Sequence, residues 1–304
     1  MKDYLFLYLK GIAMGAADVV PGVSGGTIAF ITGIYERLIN AIRSVNLDAI
    51  KYLLKFDFKA FWQQVDGTFL VVLLAGIGTS VVTFAKIIPH LLTHYPEMLW
   101  SFFFGLILAS VYVVSNELRS WNAGVALTGL LGVVIAYLIT ELSPVATPET
   151  HWFVFISGMI AICAMILPGI SGSFLLIILG KYEFVISAIK DFKLDIIAVF
   201  GLGCITGILA FSHVLNWLLK KYHDLAIALL TGFMIGALNK VWPWKQTLET
   251  YLDRHGKLKS LVTQNVFPWE YTAATGEEAH LISCILLVIV GFGVVFLIDK
   301  FANK

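Results

Sequence analysis

Pro21-Gly22-Val23-Ser24-Gly25-Gly26 and Pro168-Gly169-Ile170-Ser171-Gly172-Ser173 are two versions of one phrase in a single chain. The match extends outward from both copies at one constant offset. Gly11 pairs with Gly158, Gly33 with Gly180, Tyr35-Glu36 with Tyr182-Glu183, and Ala41-Ile42 with Ala188-Ile189. Each copy sets Pro, Gly and Ser inside an apolar stretch. Proline removes a backbone donor and breaks a helix, and lipid offers no partner for the polar groups a break exposes. Paired interruptions at corresponding positions of two halves point to a transporter's binding site.

Composition sets the environment. The 304 residues are 59% hydrophobic and 13% charged, with mean hydropathy +0.86. Soluble domains carry about 25% charged residues, so this is an integral membrane protein. A net charge of +1 implies no polyanionic partner and argues against nucleic acid. Cys163, Cys204 and Cys284 lie in apolar segments and read as small core residues. No His, Cys and carboxylate cluster has metal-ligand spacing, and no cofactor is implied. Lys2 before an apolar run and Gly15-Ala16-Ala17 mimic a signal peptide. Lys10 interrupts that run, and the pattern recurs around Gly158, so the segment reads as part of the mature fold.

The fold class that follows is an all-α integral membrane protein of two inverted-topology repeats, residues 1–148 and 149–304. Each repeat is a re-entrant helical hairpin plus three transmembrane helices. The first holds a hairpin at 5–42 and spans at 69–92, 98–116 and 122–141. The second holds a hairpin at 152–190 and spans at 195–219, 225–241 and 280–299. Residues 43–68 form a charged, aromatic, interfacial linker, and the long loop 242–279 is a candidate cap for the outer vestibule. The segment Leu5–Val20 would reach only ~24 Å as a helix, short of a ~30 Å hydrocarbon core. Three crossings per half is an odd number, and a hairpin returns to its own side, so the second half must lie upside down. The side of the N-terminus carries Lys2, Arg37, Arg43, Lys51, Lys55, Lys59, Arg119, Lys220, Lys221, Lys300 and Lys304. The excess places both termini in the cytoplasm.

At each break a new helix would start with its first N–H groups unpaired. Ser24 or Thr27 can cap the first. Together with the helix dipole, such N–H groups form an anion site. The candidate substrate-binding residues are therefore Ser24, Gly25, Gly26 and Thr27, then Ser171, Gly172 and Ser173. Pro21, Gly22, Pro168 and Gly169 make the breaks. Arg37 can hold a phosphate bidentately, or it pairs with Glu36 or a lipid phosphate. Lys240 is an interfacial anchor or gathers phosphate, and Trp242 and Trp244 read first as an aromatic belt. Asp18, Glu36 and Glu183 are candidate coupling groups. A charge in mid-helix is costly and usually functional, and Asp18 is either a protonatable coupling group or a cap for the break. Glu36 and Glu183 are otherwise interfacial Tyr-Glu anchors. The halves differ where Asp18 faces Met165, Thr27 faces Phe174 and Arg37 faces Phe184.

The run Met14-Gly-Ala-Ala-Asp-Val-Val-Pro-Gly-Val-Ser-Gly-Gly-Thr27, followed by Gly33-Ile-Tyr-Glu-Arg37, resembles the signature of a bacterial integral-membrane family. So do Leu167-Pro-Gly-Ile-Ser-Gly172 and Trp242-Pro-Trp244. The family is the polyprenyl-phosphate (undecaprenyl-phosphate) translocases. The resemblance implies a protein of the bacterial cytoplasmic membrane that returns undecaprenyl phosphate, the lipid carrier of cell-wall synthesis, from the outer to the inner leaflet. Its partners would be that lipid and the surrounding bilayer; as a separate hypothesis, proton or sodium coupling through Asp18 or a glutamate would supply direction. The physics suits such a substrate: the apolar tail stays in the bilayer and only the head must cross. Moving a bare ion into low dielectric costs several kcal/mol even after relaxation, and N–H groups and cations at half-depth would lower that barrier. Two rivals stand beside it. An ion-coupled small-anion transporter would use the same N–H groups. An intramembrane serine hydrolase would use Gly-x-Ser-Gly with a base, and His213 is the only deep histidine to supply one.

Overall fold

The computed structural model describes residues 2–19, 23–252 and 258–302. Val20, Pro21 and Gly22 lie outside them, so the first proline-glycine pair is located only by its flanks. The first part of the chain forms α1 (Lys2–Asp18), α2 (Gly25–Ile31) and α3 (Tyr35–Arg43). Two short helices follow, α4 (Leu47–Leu54) and α5 (Phe58–Gln64), then three long ones, α6 (Gly67–His94), α7 (Pro96–Ser115) and α8 (Ala123–Glu141). The order then recurs: α9 (His151–Ile166), α10 (Gly172–Ile178), α11 (Tyr182–Lys190), α12 (Leu194–Lys221) and α13 (His223–Ala237). A two-stranded antiparallel hairpin, β1 (Lys245–Leu252) and β2 (Leu258–Asn265), and α14 (Pro268–Thr275) precede the last helix, α15 (Leu281–Ala302).

Among the described residues five helices are long and apolar enough to cross a membrane, six if the bent pair α10–α11 is one span. The five overlap the expected segments 69–92, 98–116, 122–141, 195–219 and 280–299; over 225–241 the helix α13 has only 15 residues, ends at Ala237 and is not among them. The correspondence between halves is close. α6 and α12 each run 28 residues. Each ends at a tyrosine, Tyr95 or Tyr222, whose similar dihedrals (φ −144°, ψ 51° and φ −132°, ψ 51°) start the next helix.

The packing follows the same scheme. α1 lies along α6, and α9 lies along α12. The next pairs exchange partners between halves: α7 packs on α15, and α13 packs on α8. Glycines permit the close approach. A Cβ on Gly76 would stand 2.3 Å from the Tyr8 carbonyl oxygen and 3.0 Å from Gly11 Cα. Gly76→Leu is therefore expected to destabilise the fold by about 1–3 kcal/mol or more, seen as a lowered unfolding temperature in detergent. Gly78→Ala, with nothing within 4 Å of its new methyl, should leave that temperature unchanged.

The return arm of each hairpin is shorter than expected. α2 and α10 have seven residues each, about 10 Å of rise. Gly33 (φ 70°) and Gly180 (φ 61°) then stop them. Gly33 N–H donates to Phe30 O and Ile34 N–H to Ala29 O, both at 3.0 Å. Gly180 N–H donates to Ile177 O and Lys181 N–H to Leu176 O at 2.9 and 2.8 Å. These are glycine-terminated helix ends, and after the second the chain bends by 105° into α11. α3 reaches across to α12 of the other half, whereas α11 lies on α12 of its own half and makes no comparable contact with α6.

In the linker, α4, α5 and the turn between them expose Leu54, Phe56 and Phe58, with Phe56 at 78%. Trp242 and Trp244 depart from a lipid-facing belt. Trp242 Nε1–H donates to Val266 O at 2.9 Å and Trp244 Nε1–H to Ala279 O at 2.8 Å. Trp244 is buried with Tyr271 and Cys284 in a small core of its own. The two indoles tie the start of the 242–279 segment to its later part, because a buried indole seeks an acceptor.

Candidate functional site

The two breaks meet inside the molecule. Ser24 Oγ–H donates to Met165 O at 2.9 Å. Gly169 N–H donates to Thr27 Oγ at 3.1 Å, with Thr27 itself buried. Between these bonds Gly26 lies flat on the opposite break, where a Cβ would stand 2.2 Å from Ile166 O. Motifs far apart in sequence thus form one interlocked junction of irregular backbone. Such backbone is tolerated at membrane depth only where protein or a water-filled cavity surrounds it.

The two junction faces differ in what holds their N–H groups. At α2, Ser24 Oγ accepts from Gly26 N–H at 3.1 Å and Ser24 O from Thr27 N–H at 3.0 Å. The Gly25 N–H donates to Asp18 Oδ1 at 2.7 Å. The chain's own carboxylate therefore sits at the start of α2, where an anion would bind. At α10 the equivalent of Asp18 is Met165, which cannot do this. Ser171 Oγ accepts from Phe174 N–H at 3.4 Å and shares a 2.9 Å contact with Ser173 Oγ. Among the described residues no acceptor is placed on the Gly172 and Ser173 N–H groups.

A cation lies beside this second face. Lys240, just past α13, lines a narrow crevice with Thr140, Gly169, Ser171 and Phe174. Its Nζ stands 4.3 Å above the Phe174 ring. Around it Asn239 Nδ2 donates to Thr140 Oγ and Glu141 Oε1 at 2.8 and 2.7 Å, and Asn265 Nδ2 donates to Asn239 Oδ1 at 2.8 Å. The β-hairpin adds a second lysine that sequence reasoning left in the long loop. Lys245 Nζ donates to Lys240 O at 2.5 Å and lies 4.1 Å from the Trp100 ring centre. Its place directly after Trp-Pro-Trp was the only hint of this.

The remaining candidates stand apart from the junction. Arg37 forms a bidentate pair with Asp66, Nε to Oδ2 at 2.7 Å and Nη2 to Oδ1 at 3.1 Å, and stacks on Phe69 at 4.4 Å. Its side-chain partner is thus Asp66 and not Glu36. Glu36 is exposed on α3, and Glu183 is half-buried on α11. Among the described residues neither motif serine has a histidine partner, and His213 Nδ1 lies 2.8 Å from Leu209 O on its own helix.

The comparisons with known proteins bear on the whole of this arrangement. A family model described as undecaprenyl phosphate translocase-like matches residues 14–259, which include both breaks, Lys240 and Lys245. The chain belongs to this family. It is 45% identical to a polyprenyl-phosphate transporter of Vibrio cholerae serotype O1 over 302 residues, 99% of this chain and 98% of the relative. It is 34% identical to a polyprenyl-phosphate transporter of Staphylococcus aureus over 255 residues, 77% of this chain and 85% of the relative. No solved structure matches it.

Lys245 makes a measurable prediction about this family member. Burial, with the Lys240 ammonium close by, holds the Lys245 amine well below the usual lysine range. The unfolded chain protonates this amine near pH ~10.4. The folded state resists that proton, so stability is lost as pH falls from there toward the depressed value. Lys245→Met is expected to raise the unfolding temperature at pH 7, and the gain should shrink as pH approaches ~10. A lower unfolding temperature for the methionine variant at pH 7 would show that the ammonium is stabilising instead.

Proposed function

We propose that this protein carries undecaprenyl phosphate from the outer to the inner leaflet of the cytoplasmic membrane. The observation that carries the reading is the junction itself, where Ser24 meets Met165 and Gly169 meets Thr27. The phosphate head enters at the second break, between Lys240 and the Gly172 and Ser173 N–H groups, with Ser171 beside them. Its tail remains in lipid. Lys245 sets the local charge at the same mouth. The names of the relatives support the substrate, since both are called polyprenyl-phosphate transporters.

The two halves are inverted repeats with re-entrant hairpins. Equal lengths of α6 and α12, and the exchange of partners between α7–α15 and α13–α8, support this. Alternating access would then move the junction's opening from one leaflet to the other. The Lys and Arg distribution places both termini in the cytoplasm. Asp18 at the α2 break is the coupling group, protonated or sodium-bound during part of the cycle. Arg37 and its Asp66 partner hold α3 near the inner face, and Glu36 and Glu183 anchor the starts of α3 and α11 at opposite faces. A transporter of this kind performs no covalent step on the lipid.

The test is leaflet-resolved transfer of a fluorescent polyprenyl phosphate in vesicles containing the purified protein. Transfer is expected above protein-free vesicles, and Lys240→Gln should slow it about tenfold, the equivalent of ~1.4 kcal/mol. Equal transfer with and without protein would refute the reading. Purified protein carrying bound small anions and no polyprenyl phosphate would favour the small-anion transporter.

A further inference from the structure

We propose that a cleft between α3 and α12 is a second headgroup site, for the phosphate monoester of a lipid, on the side where the chain begins. Arg43, His213, Asn216, Trp217, Lys220 and Lys221 line it. Its volume is about 550 Å³, within the range of ~300–1,000 Å³ usual for small-ligand pockets. The length of α13 (His223–Ala237) separates it in sequence from Lys240.

The chemistry of the lining is one-sided. Three fixed cations and a histidine face the cleft, and no carboxylate is among the lining residues. Lys221 Nζ rests 5.7 Å from the Trp217 ring centre and 5.4 Å from that of Tyr222, which positions the ammonium without an acid partner. Basic residues at helix C-termini are favourable by themselves, and that accounts for the presence of Arg43, Lys220 and Lys221. It does not account for Asn216, a neutral amide-bearing residue that is only 8% exposed and still forms part of the same lining. An anion in the cleft would accept from it while pairing with the lysines and Arg43, a combination of neutral and charged donors suited to a phosphate. Trp217 is 52% exposed at the rim, placed to lie against a hydrocarbon tail. A free phosphate would use the same donors but leave this aromatic rim unused, so the lipid is the better fit.

The proposal rests on the transport reading only for its place in the route, as the exit of the head. The test uses the full chain in phosphatidylcholine nanodiscs and a photoactivatable farnesyl phosphate, with labelled peptides read by mass spectrometry. Labelling is expected on residues 213–221 and should fall at least tenfold in the Arg43→Gln, Lys220→Gln double variant. Asn216→Asp should fall further, because a carboxylate would take the phosphate's place among the cations. Asn216→Ala tests the amide alone and should fall less. Labelling of 213–221 that is unchanged in every variant would overturn the proposal. Equal competition by inorganic phosphate would reassign the cleft to a free anion, and equal competition by phosphatidylglycerol would reassign it to bulk anionic lipid. Either result overturns it too. A chain that labels here yet moves no polyprenyl phosphate between leaflets would sink the transport reading and leave this site standing. Transport without labelling would do the reverse.

Discussion

Gly26→Val is expected to abolish transfer of polyprenyl phosphate between leaflets while most of the helical content is retained. The added Cβ would stand 2.2 Å from Ile166 O and 2.8 Å from Ile166 C. Both are backbone atoms, so no side-chain rotation relieves the clash. Nor can the opposing segment retreat freely, because Ser24 is bonded to Met165 and Gly169 to Thr27 on either side of it. Overpacking of this kind typically costs about 1–3 kcal/mol, and here the strain falls on the contact between the breaks and not on a single helix. Gly172→Val is the informative comparison. Its Cβ would meet Ala161 O at 2.3 Å, within its own half. It should lower stability without prying the breaks apart. Gly293→Ala, which meets nothing within 4 Å, is the neutral control. Normal transfer by a folded Gly26→Val protein would show that the junction does not carry the substrate.

The second large effect is expected at Asp18. Asparagine has the same shape, and its amide oxygen can still accept from Gly25 N–H, so the cap on α2 survives the change. What is lost is the charge. If Asp18 couples transfer to an ion, Asp18→Asn should slow gradient-driven transfer at least tenfold and remove the response to an imposed proton or sodium gradient. A pure cap would leave both the rate and the response intact. Vesicles with each gradient applied separately would identify the ion, and a wild-type rate indifferent to both would end the coupling idea.

Part of this was legible in the sequence because its motifs occur twice. The repeated Pro-Gly-x-Ser phrase pointed to the segments that meet at Ser24–Met165 and Gly169–Thr27, and the hydropathy runs fell on the long apolar helices. Gly33 and Gly180 were also visible as a matched pair, but their meaning was not. A glycine ends a helix through its φ angle, and periodicity does not report that angle, so the return arms were drawn too long. Arg37 was read against its neighbours because its true partner, Asp66, is set by how α3 folds back on the start of α6. Lys245 was hidden for a different reason: loop 242–279 has little apolar periodicity, and the hairpin that carries the lysine inward is held by Trp242 and Trp244 from outside the strands. Asp18 was singled out as deep and costly, yet only the coordinates pair it with Gly25.

The unequal grip on α12 has a mechanical consequence. This helix is contacted by both α11 and α3, while among the described residues α6 has no comparable contact with α11. On the proposed inversion of the two halves, an exchange of their roles would release α3 from α12 and bring α11 onto α6, giving a second pose related to this one by swapping the halves. A disulfide staple between α3 and α12 and another between α11 and α6 would then freeze the machine at opposite ends of its stroke.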